Sequence, residues 1–237
     1  MTSRRLRPAL LLLFVGSGCA ALIYEVVWFQ LLELVIGSSA VSMGVLLGTF
    51  MGGMCLGSLL LPRYMAPGTH PLRMYAWLEL GIGAMGLILL FGMPLVGGAY
   101  TAWAGAGVAG MLMRGVAAAV CLLPPTLLMG ATLPAVARWV ETSKQGVAWL
   151  GYFYGGNTVG AVAGSLLAGF YLMSAFDIST TTYAAVALNV LVSALALLLS
   201  RLDPFLPAPR LEAPLVLGAP APARAPTVYL AIALSGL

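Results

Sequence analysis

Residues 41–61 read VSMGVLLGTFMGGMCLGSLLL, a run of 21 residues without a single charge. A helix needs about 20 apolar residues to cross the hydrocarbon core of a bilayer. Five further apolar runs of similar length occur at residues 10–31, 74–96, 111–137, 147–173 and 181–199. The sequence therefore predicts an all-α protein, a polytopic bundle of about six transmembrane helices.

The composition of the whole chain supports the same fold class. Of its 237 residues, 61% are hydrophobic and only 8% are charged, and 29 are glycine. A soluble domain of this length buries only about 70–75% of its surface, too little to hide so many apolar side chains. These proportions exclude a soluble enzyme and a disordered chain, and they make the lipid bilayer the main partner.

The positions of the basic residues predict the orientation. With the amino terminus in the cytoplasm, ten of the eleven Lys and Arg residues fall on the cytoplasmic side, and Arg114 is the exception. We therefore predict an integral membrane protein of the bacterial inner membrane, with the amino terminus and the carboxyl-terminal linker cytoplasmic. A clustered basic surface with aromatic platforms is missing, so we expect no nucleic-acid partner.

Both ends of the chain need separate interpretation. Three arginines before an apolar run imitate a secretory signal, but the run continues past Cys19, so we predict a retained first span. We divide the chain into a six-span domain (1–200), a Pro/Ala-rich linker (201–226) with seven of the fifteen prolines, and the start of a further apolar span (227–237) that is cut short.

Glycines at four-residue spacing occur in two of the predicted spans. The stripes are Gly44, Gly48 and Gly52 in the second span, and Gly156, Gly160 and Gly164 in the fifth. Small residues at this spacing let membrane helices pack backbone to backbone. We interpret both stripes as packing surfaces, with Gly53 and Gly57 on a neighbouring stripe; sliding contacts of a transporter are the alternative.

Several polar side chains lie at membrane depth and form a candidate intramembrane site. These residues are Tyr24, Glu25, Glu79, Arg114, Tyr154 and Asn157. A charge at the bilayer centre costs roughly 2.5–3.5 kcal/mol unless it is paired or hydrated. Glu25 and Arg114 both lie in the predicted outer half and could pair; the alternative for Glu25 is a cation site that faces a wet cavity.

Glu79 lies in the inner half of the third span and needs another donor. The candidates are Arg138, Lys144 and a tyrosine hydroxyl, and we favour a structural role for Glu79 and Arg114. The pair Pro124-Pro125 predicts a kink in the fourth span, and the Gly-rich segment 97–107 predicts a turn or an interfacial stretch.

Cysteine and histidine usage argues against metal or cofactor chemistry. Cys19, Cys55 and Cys121 lie in apolar runs without CxxC spacing, and His70 is the only histidine. We predict no metal ligands, no disulfide framework, no catalytic residues and no cofactor-binding residues in this chain.

An ordered set of motifs resembles a known membrane family. The set comprises Ser17-Gly18 with 21–28 (ALIYEVVW), Gly37-Ser38-Ser39, Gly52-Gly53 with Gly57-Ser58, 78–83 (LELGIG), 130–134 (GATLP), and Tyr154 with 157–161 (NTVGA). Together these motifs resemble the membrane-embedded spermidine synthase-like family, whose membrane region is major-facilitator-like. The resemblance covers nearly all of residues 10–200.

The resemblance implies partners and a function. It implies a membrane module that anchors a cytosolic domain similar to polyamine aminopropyltransferases, that binds or moves polyamines or other cations, and that is followed by a second membrane repeat. The Gly-rich, acidic motif of those enzymes is missing from this chain, so no catalytic residue is carried over. Two alternatives stay open: a half-size secondary transporter of an unknown solute, and a structural subunit of a membrane complex.

Overall fold

The computed structural model describes residues 2–36, 39–64, 68–103, 108–140 and 144–202, all of which belong to one compact unit. Most of the predicted linker, the predicted terminal span and the Gly37-Ser38 part of one motif lie outside the described residues. Within them, the chain is helical except for the turn at 68–70 and for Phe176 and Asp177, and it contains no strand.

Seven α-helices and one π-helical segment make up the described chain. They are α1 (Thr2–Ile36), α2 (Ser39–Tyr64), α3 (Pro71–Trp103), α4 (Val108–Val140), α5 (Lys144–Leu167), the π-helical segment Ala168–Leu172, α6 (Met173–Ala175) and α7 (Ile178–Leu202). The π-helical segment joins α5 to α6, so that the three form one continuous span.

Six of these stretches are long and apolar enough to cross a membrane. They are Leu6–Ile36, Ala40–Leu60, Pro71–Leu95, Val108–Val140, Ala148–Ala175 and Ile178–Leu202. The predicted fold class, a polytopic helical bundle of six spans, is confirmed. One of the two alternatives for the segment 97–107 was wrong: residues 97–103 continue helix α3 and do not form a turn, while the interfacial alternative stays a prediction.

Helix α4 stays helical through its three prolines. Pro124 and Pro125 lie inside the helix, and the Thr126 hydroxyl donates to the carbonyls of Leu122 (3.0 Å) and Leu123 (2.9 Å) beside them. The two prolines deprive the carbonyls of Val120 and Cys121, four residues earlier, of their usual N–H donors, so the Thr126 hydroxyl adds hydrogen bonds to the same turn without replacing the missing ones.

The helices pack in three main pairs, α1 with α5, α2 with α4, and α3 with α7. The two glycine-striped helices, α2 and α5, therefore have different partners. A Cβ atom on Gly57 would overlap the carbonyl oxygen of Leu127 in α4, and one on Gly160 would overlap that of Val15 in α1. At both places the backbones touch because no side chain separates them.

These contacts repeat within the chain. In the same two interfaces, a Cβ on Gly130 of α4 would overlap the Met54 carbonyl, and a Cβ on Gly18 of α1 would overlap the Asn157 carbonyl. Met54 is three residues before Gly57, and Asn157 is three residues before Gly160. The packing of α4 on α2 therefore reproduces that of α1 on α5.

The third pair of helices follows the same relation. Ser193 of α7 donates to the Ala76 carbonyl of α3 (2.9 Å), and Gly83 of α3 faces the Val186 carbonyl of α7 (3.9 Å from an added Cβ). Residues 76 and 186, and 83 and 193, are therefore equivalent, and so are Glu79 and Asn189 between them. Because successive spans alternate in direction, α1–α3 and α4–α7 form an inverted repeat.

Candidate functional site

Glu79 is fully buried at the centre of the α1, α3 and α7 contact. The Ser17 hydroxyl donates to its Oε1 atom (2.6 Å), and the Asn189 amide donates to its Oε2 atom (2.6 Å). The Tyr75 hydroxyl, one turn earlier on α3, donates to the Leu13 carbonyl of α1 (3.4 Å) and lies near this carboxyl group. Helices α1 and α7 thus each provide a neutral donor to one carboxyl group of α3.

Small and aromatic residues place these donors. Gly83 of α3 faces Asn189 of α7, and an added Cβ would lie 3.5 Å from the Asn189 Cβ, at ordinary van der Waals contact. Phe14 of α1 stacks on the Tyr75 ring, with the centroids 5.3 Å apart. Phe153 of α5 stacks on the Phe14 ring, also with the centroids 5.3 Å apart. The ring stack fixes the tyrosine beside the carboxyl group.

The described residues show no ion pair to Glu79. Of the donors predicted for it, a tyrosine hydroxyl lies nearby, that of Tyr75, which donates to the Leu13 carbonyl. Arg138 lies in the last turn of α4, and the side chain of Lys144 is outside the described residues. If Glu79 is ionised, its negative charge has hydrogen-bond donors but no fixed cation in this part of the chain.

A cavity of about 300 Å³ lies beside this carboxyl group. Ser17 and Asn189 line it, so two of the groups that hold Glu79 also form part of the cavity wall. The other lining residues come from the first five spans, and most are apolar: Phe14, Ala21, Met54, Cys55, Ser58, Ile82, Met129, Gly130, Thr132, Leu133, Tyr154 and Asn157. The structure therefore brings the predicted residues Tyr154 and Asn157 to the same cavity as the partners of Glu79.

Asn189 connects the carboxyl group to the cavity. Its Nδ2 atom donates to Glu79, while its Oδ1 atom is buried and has no hydrogen-bond partner among the described residues. Asn157, on the α5 side, donates from Nδ2 to the Phe14 carbonyl (3.4 Å). Both residues line the cavity, but the Asn189 Oδ1 atom has almost no accessible surface, so Asn157 is the amide that a molecule in the cavity can reach.

Tyr24 is buried one helical layer away from this cluster. Its ring stacks on Trp28 (5.3 Å) and lies against Gly86 of α3, and it is within electrostatic range of Glu79. Its hydroxyl group has no hydrogen-bond partner among the described residues.

The predicted pair of Glu25 and Arg114 does not form. Glu25 is half-buried on α1, and the Arg114 Nε atom is buried without a partner among the described residues. At 1.5 Å per residue, Glu25 lies about 16 Å below the end of α1 at Ile36, whereas Arg114 lies about 9 Å below the start of α4. Helix α1 packs mainly on α5 and α7, whereas α4 packs mainly on α2 and α3, so the two side chains belong to different interfaces, which explains the correction.

The two glycine stripes differ in their surroundings. Gly156, Gly160 and Gly164 lie against Leu11, Val15 and Cys19 of α1, so the fifth-span stripe is in contact. For Gly44, Gly48 and Gly52 no neighbouring atom lies within 4 Å of an added Cβ. On α2 the contact is made by the neighbouring stripe, Gly53 and Gly57, because that face turns toward α4.

Sequence reasoning missed three of the residues around Glu79. Ser17 entered only as part of a motif, and Tyr75 and Asn189 were not singled out. Asn189 carried a usable signal, since an amide in the middle of the sixth apolar run is costly unless it is paired. In the described part of the chain, no group of three His, Cys, Asp or Glu residues could hold a metal ion.

Comparisons with known proteins do not extend this description. No protein-family model matches the chain, and neither a curated protein nor a solved structure matches it.

Proposed function

We propose that this chain is a membrane-embedded module that binds a small organic cation of the polyamine class in the cavity beside Glu79. The observation that carries the proposal is a buried carboxyl group without a fixed cation in the described residues, held by Ser17 and Asn189, which themselves line the cavity. A cationic solute would supply the missing positive charge.

The chemistry of the cavity fits an alkyl amine. Its walls are mostly apolar and include Ile82, Met129 and Leu133, which suit a chain of methylene groups. The polar lining residues that can accept hydrogen bonds from ammonium groups are Asn157 and Tyr154. Its volume of about 300 Å³ is at the lower end of the range of small-molecule sites.

Electrostatics makes occupancy and charge interdependent. Burying an unpaired carboxylate at membrane depth costs several kcal/mol of desolvation free energy. Attraction to a neighbouring ammonium group offsets part of that cost. Glu79 therefore exists in two favourable states, protonated in the free protein and ionised when a cation is bound.

The family resemblance contributes a second part to the proposal. In this part the module anchors a cytosolic domain that resembles polyamine aminopropyltransferases, and it holds the substrate amine near that domain. Only the ordered motifs of residues 10–200 support it, and the binding experiment does not depend on it.

The test is binding of radiolabelled spermidine and putrescine to the purified protein in detergent. The variant Glu79→Gln keeps the shape of the side chain and removes its charge, and we expect it to weaken binding by about thirtyfold, the effect of losing one partner of a buried charge pair. Glu25→Gln is the matched control, since it removes a membrane-depth carboxyl group of α1 that does not line the cavity. We expect this variant to bind with wild-type affinity.

A second variant separates the cavity from the charge. Ala21→Leu fills part of the cavity and leaves Glu79 intact, so we expect it to lose binding as well. Equal affinities for the wild type, Glu79→Gln and Ala21→Leu would refute the proposed site.

A transporter is the second candidate, and the inverted repeat favours it. Secondary transporters are commonly built from inverted repeats with their substrate site at the repeat interface, and here the cavity and the Glu79–Asn189 bond lie between the two repeats. The π-helical segment Ala168–Leu172 in the fifth span is a further feature that often marks functional sites. Proteoliposome uptake of labelled putrescine under an imposed pH gradient would support transport; binding without flux would leave a binding module.

A further inference from the structure

The cavity beside Glu79 opens at one side of the bundle. Two of its lining residues are exposed, Cys55 on α2 and Tyr154 on α5. Ser17 and Asn189, which bond to Glu79, are buried. Helices α2 and α5 are not among the helix pairs that pack on each other in the described chain. The cavity therefore extends from the partners of Glu79 to an opening between α2 and α5.

This opening lies at the level of the hydrocarbon core, which is about 30 Å thick. Cys55 is five residues from the end of the second span at Leu60, and Tyr154 is six residues from the start of the fifth span at Ala148. At 1.5 Å per residue, both lie about 8–9 Å inside the apolar part of the bundle, in the leaflet where α1 begins. A molecule that passes between α2 and α5 therefore comes from lipid and not from water.

The two sides of the cavity differ in polarity. The repeat relation of the glycine contacts pairs Ser17 of α1 with Met129 of α4. It also pairs Asn157 of α5 with Met54 of α2, and all four residues line the cavity. The α1–α5 side therefore presents a hydroxyl and an amide where the α2–α4 side presents two thioethers, which behave as apolar groups.

Other lining residues increase this difference. Leu133 of α4 corresponds to Ala21 of α1, so the larger apolar side chain is again on the α2–α4 side. The hydroxyls of Ser58 and Thr132 also lie on that side, but each donates to a carbonyl of its own helix (2.8 Å). A hydroxyl bonded in this way has no donor left for a ligand. The cavity thus has a polar side next to Glu79 and an apolar side.

The charge of the site limits the number of ammonium groups that it can hold. Within the described residues no carboxylate lines the cavity, and Glu79 behind its wall supplies one negative charge. A diamine carries an ammonium group at each end. If one end lies next to Glu79, the other lies on the apolar side, where burying an unpaired charge is costly. A ligand with one ammonium group and one apolar tail suits both sides.

We propose that the ligand is an N-acylated diamine, a polyamine derivative that keeps one ammonium group and carries an apolar chain on its neutral amide nitrogen. It enters the cavity from the bilayer, between α2 and α5. This inference rests on the proposed function and names the ligand class of the same site. The ammonium group lies on the polar side, next to Asn157 and Tyr154. The acyl chain lies against Met54, Met129 and Leu133 and extends through the opening into lipid.

The first test measures the tail preference by displacement of radiolabelled putrescine from the purified protein in detergent. The unlabelled competitors are putrescine, N-acetylputrescine and N-octanoylputrescine, with free concentrations measured by equilibrium dialysis. N-acetylputrescine has the same single ammonium group and a short tail, so it is the control for the charge. We expect N-octanoylputrescine to compete at least about tenfold more strongly than N-acetylputrescine, because each fully buried methylene group raises affinity about fourfold.

A pair of variants locates the tail. Met54→Asn gives α2 the side chain that α5 has at the equivalent position, and we expect the preference for the octanoyl compound to fall below about threefold. Met113→Asn makes the same substitution at an exposed residue of α4 that does not line the cavity. This control should keep the wild-type preference.

The second test determines what the opening faces. A spin label is attached to Cys55 in protein that carries Cys19→Ala and Cys121→Ala and is reconstituted in liposomes. We expect lipid-soluble oxygen to relax the label and a water-soluble nickel chelate to leave it unaffected. A label at Tyr64→Cys, an exposed position at the end of α2, is the control and should respond to the chelate. N-octanoylputrescine should lower the access of oxygen to Cys55, and Glu79→Gln should abolish this change.

The outcomes separate this inference from the proposed function. Equal competition by the octanoyl and acetyl compounds, or relaxation of the Cys55 label by the nickel chelate, would overturn the acylated ligand and its route while the cation site stands. Low access of both reagents to Cys55 would show that another helix covers the opening, and it would also overturn the route. Putrescine binding that is equal in the wild type and Glu79→Gln would refute the proposed function itself.

Discussion

The two halves of the bundle have similar backbone packing but different chemistry. The contact of Gly57 (α2) with α4 matches that of Gly160 (α5) with α1, and the contact of Gly130 (α4) with α2 matches that of Gly18 (α1) with α5. Next to these glycines, however, Ser17 of the first repeat corresponds to Met129 of the second. The first repeat contributes a hydroxyl donor to Glu79, and the second contributes an apolar wall to the cavity.

The same difference occurs where the repeats meet. Glu79 and Asn189 are equivalent positions, and they bond to each other across the approximate two-fold axis. Two glutamates there would repel each other, and two asparagines would carry no charge. The comparison teaches that glycine contacts define a symmetric scaffold, whereas single substitutions on that scaffold create one asymmetric ionisable site.

The largest expected effect tests the scaffold. In Gly57→Ala and Gly160→Ala the new methyl group would overlap a backbone carbonyl of the facing helix, which cannot rotate away. We expect each variant to lose about 3 kcal/mol of stability. Thermal unfolding in detergent, followed with a thiol-reactive dye that reports the half-buried Cys19 and Cys121, measures the loss.

Gly155→Ala is the control for both variants, because no atom lies within 4 Å of its added Cβ. We expect its unfolding midpoint to stay at that of the wild type. A large loss for one of the two test variants and none for the other would show that the two interfaces are not equivalent.

A smaller effect tests the asymmetric chemistry. Asn189→Leu removes a donor to the Glu79 carboxyl group, and Ser193→Ala, one turn later, removes a donor to a neutral carbonyl. We expect the free energy of unfolding to fall by about 2 kcal/mol in Asn189→Leu and by about 1 kcal/mol in Ser193→Ala, because a hydrogen bond to a charged group is stronger than one to a neutral group. Denaturation at a pH where Glu79 is ionised makes the comparison; equal losses would mean that Glu79 is not a charged acceptor.

The smallest expected effect concerns the caps of two equivalent helices. At the start of α7, the Asp177 carboxylate accepts a hydrogen bond from the Thr180 backbone N–H (2.9 Å). At the start of α3, His70 Nδ1 accepts one from the Leu72 N–H (3.2 Å). Both third spans therefore begin with a side-chain cap, but only the cap of α7 is a carboxylate.

The hydrogen bonds from the Thr180 side chain and backbone lower the pKa of Asp177. Because the folded-state pKa lies below the unfolded value of about 3.9, the cap stabilises the protein at higher pH, and this contribution is lost as the pH falls through the folded-state pKa. We expect Asp177→Asn, which can still cap, to lower the unfolding midpoint only slightly at neutral pH and to weaken its dependence on acid. An unchanged acid profile would contradict this assignment.

Much of the fold could be predicted because it depends on local composition. Apolar runs of about 20 residues with at most one charge identify membrane spans wherever they occur, and all six were found with ends that differ by a few residues. The turn alternative after Gly97 was wrong because glycines that favour turns in water do not stop a helix whose backbone bonds must be satisfied in or near lipid.

The candidate site was only partly predictable. Glu79, Tyr154 and Asn157 were identified because polar groups are costly at membrane depth, yet the partners of Glu79 come from residues 62 and 110 positions away. Pairing Glu25 with Arg114 failed because the prediction compared only halves of the bilayer, and neither finer depth nor helix neighbours follow from hydropathy.

The sequence by itself determined that the chain crosses the membrane and which residues are expensive to bury there, because transfer into lipid depends on each segment's own side chains. Only the tertiary structure decided which glycines touch a neighbouring helix, that the first three spans and the last three repeat each other, and that Glu79 meets Asn189 beside a cavity. Those facts depend on the rotation and partner of each helix. In lipid these are set by close backbone contact between segments distant in the chain, since apolar surface alone does not prefer one neighbour over another.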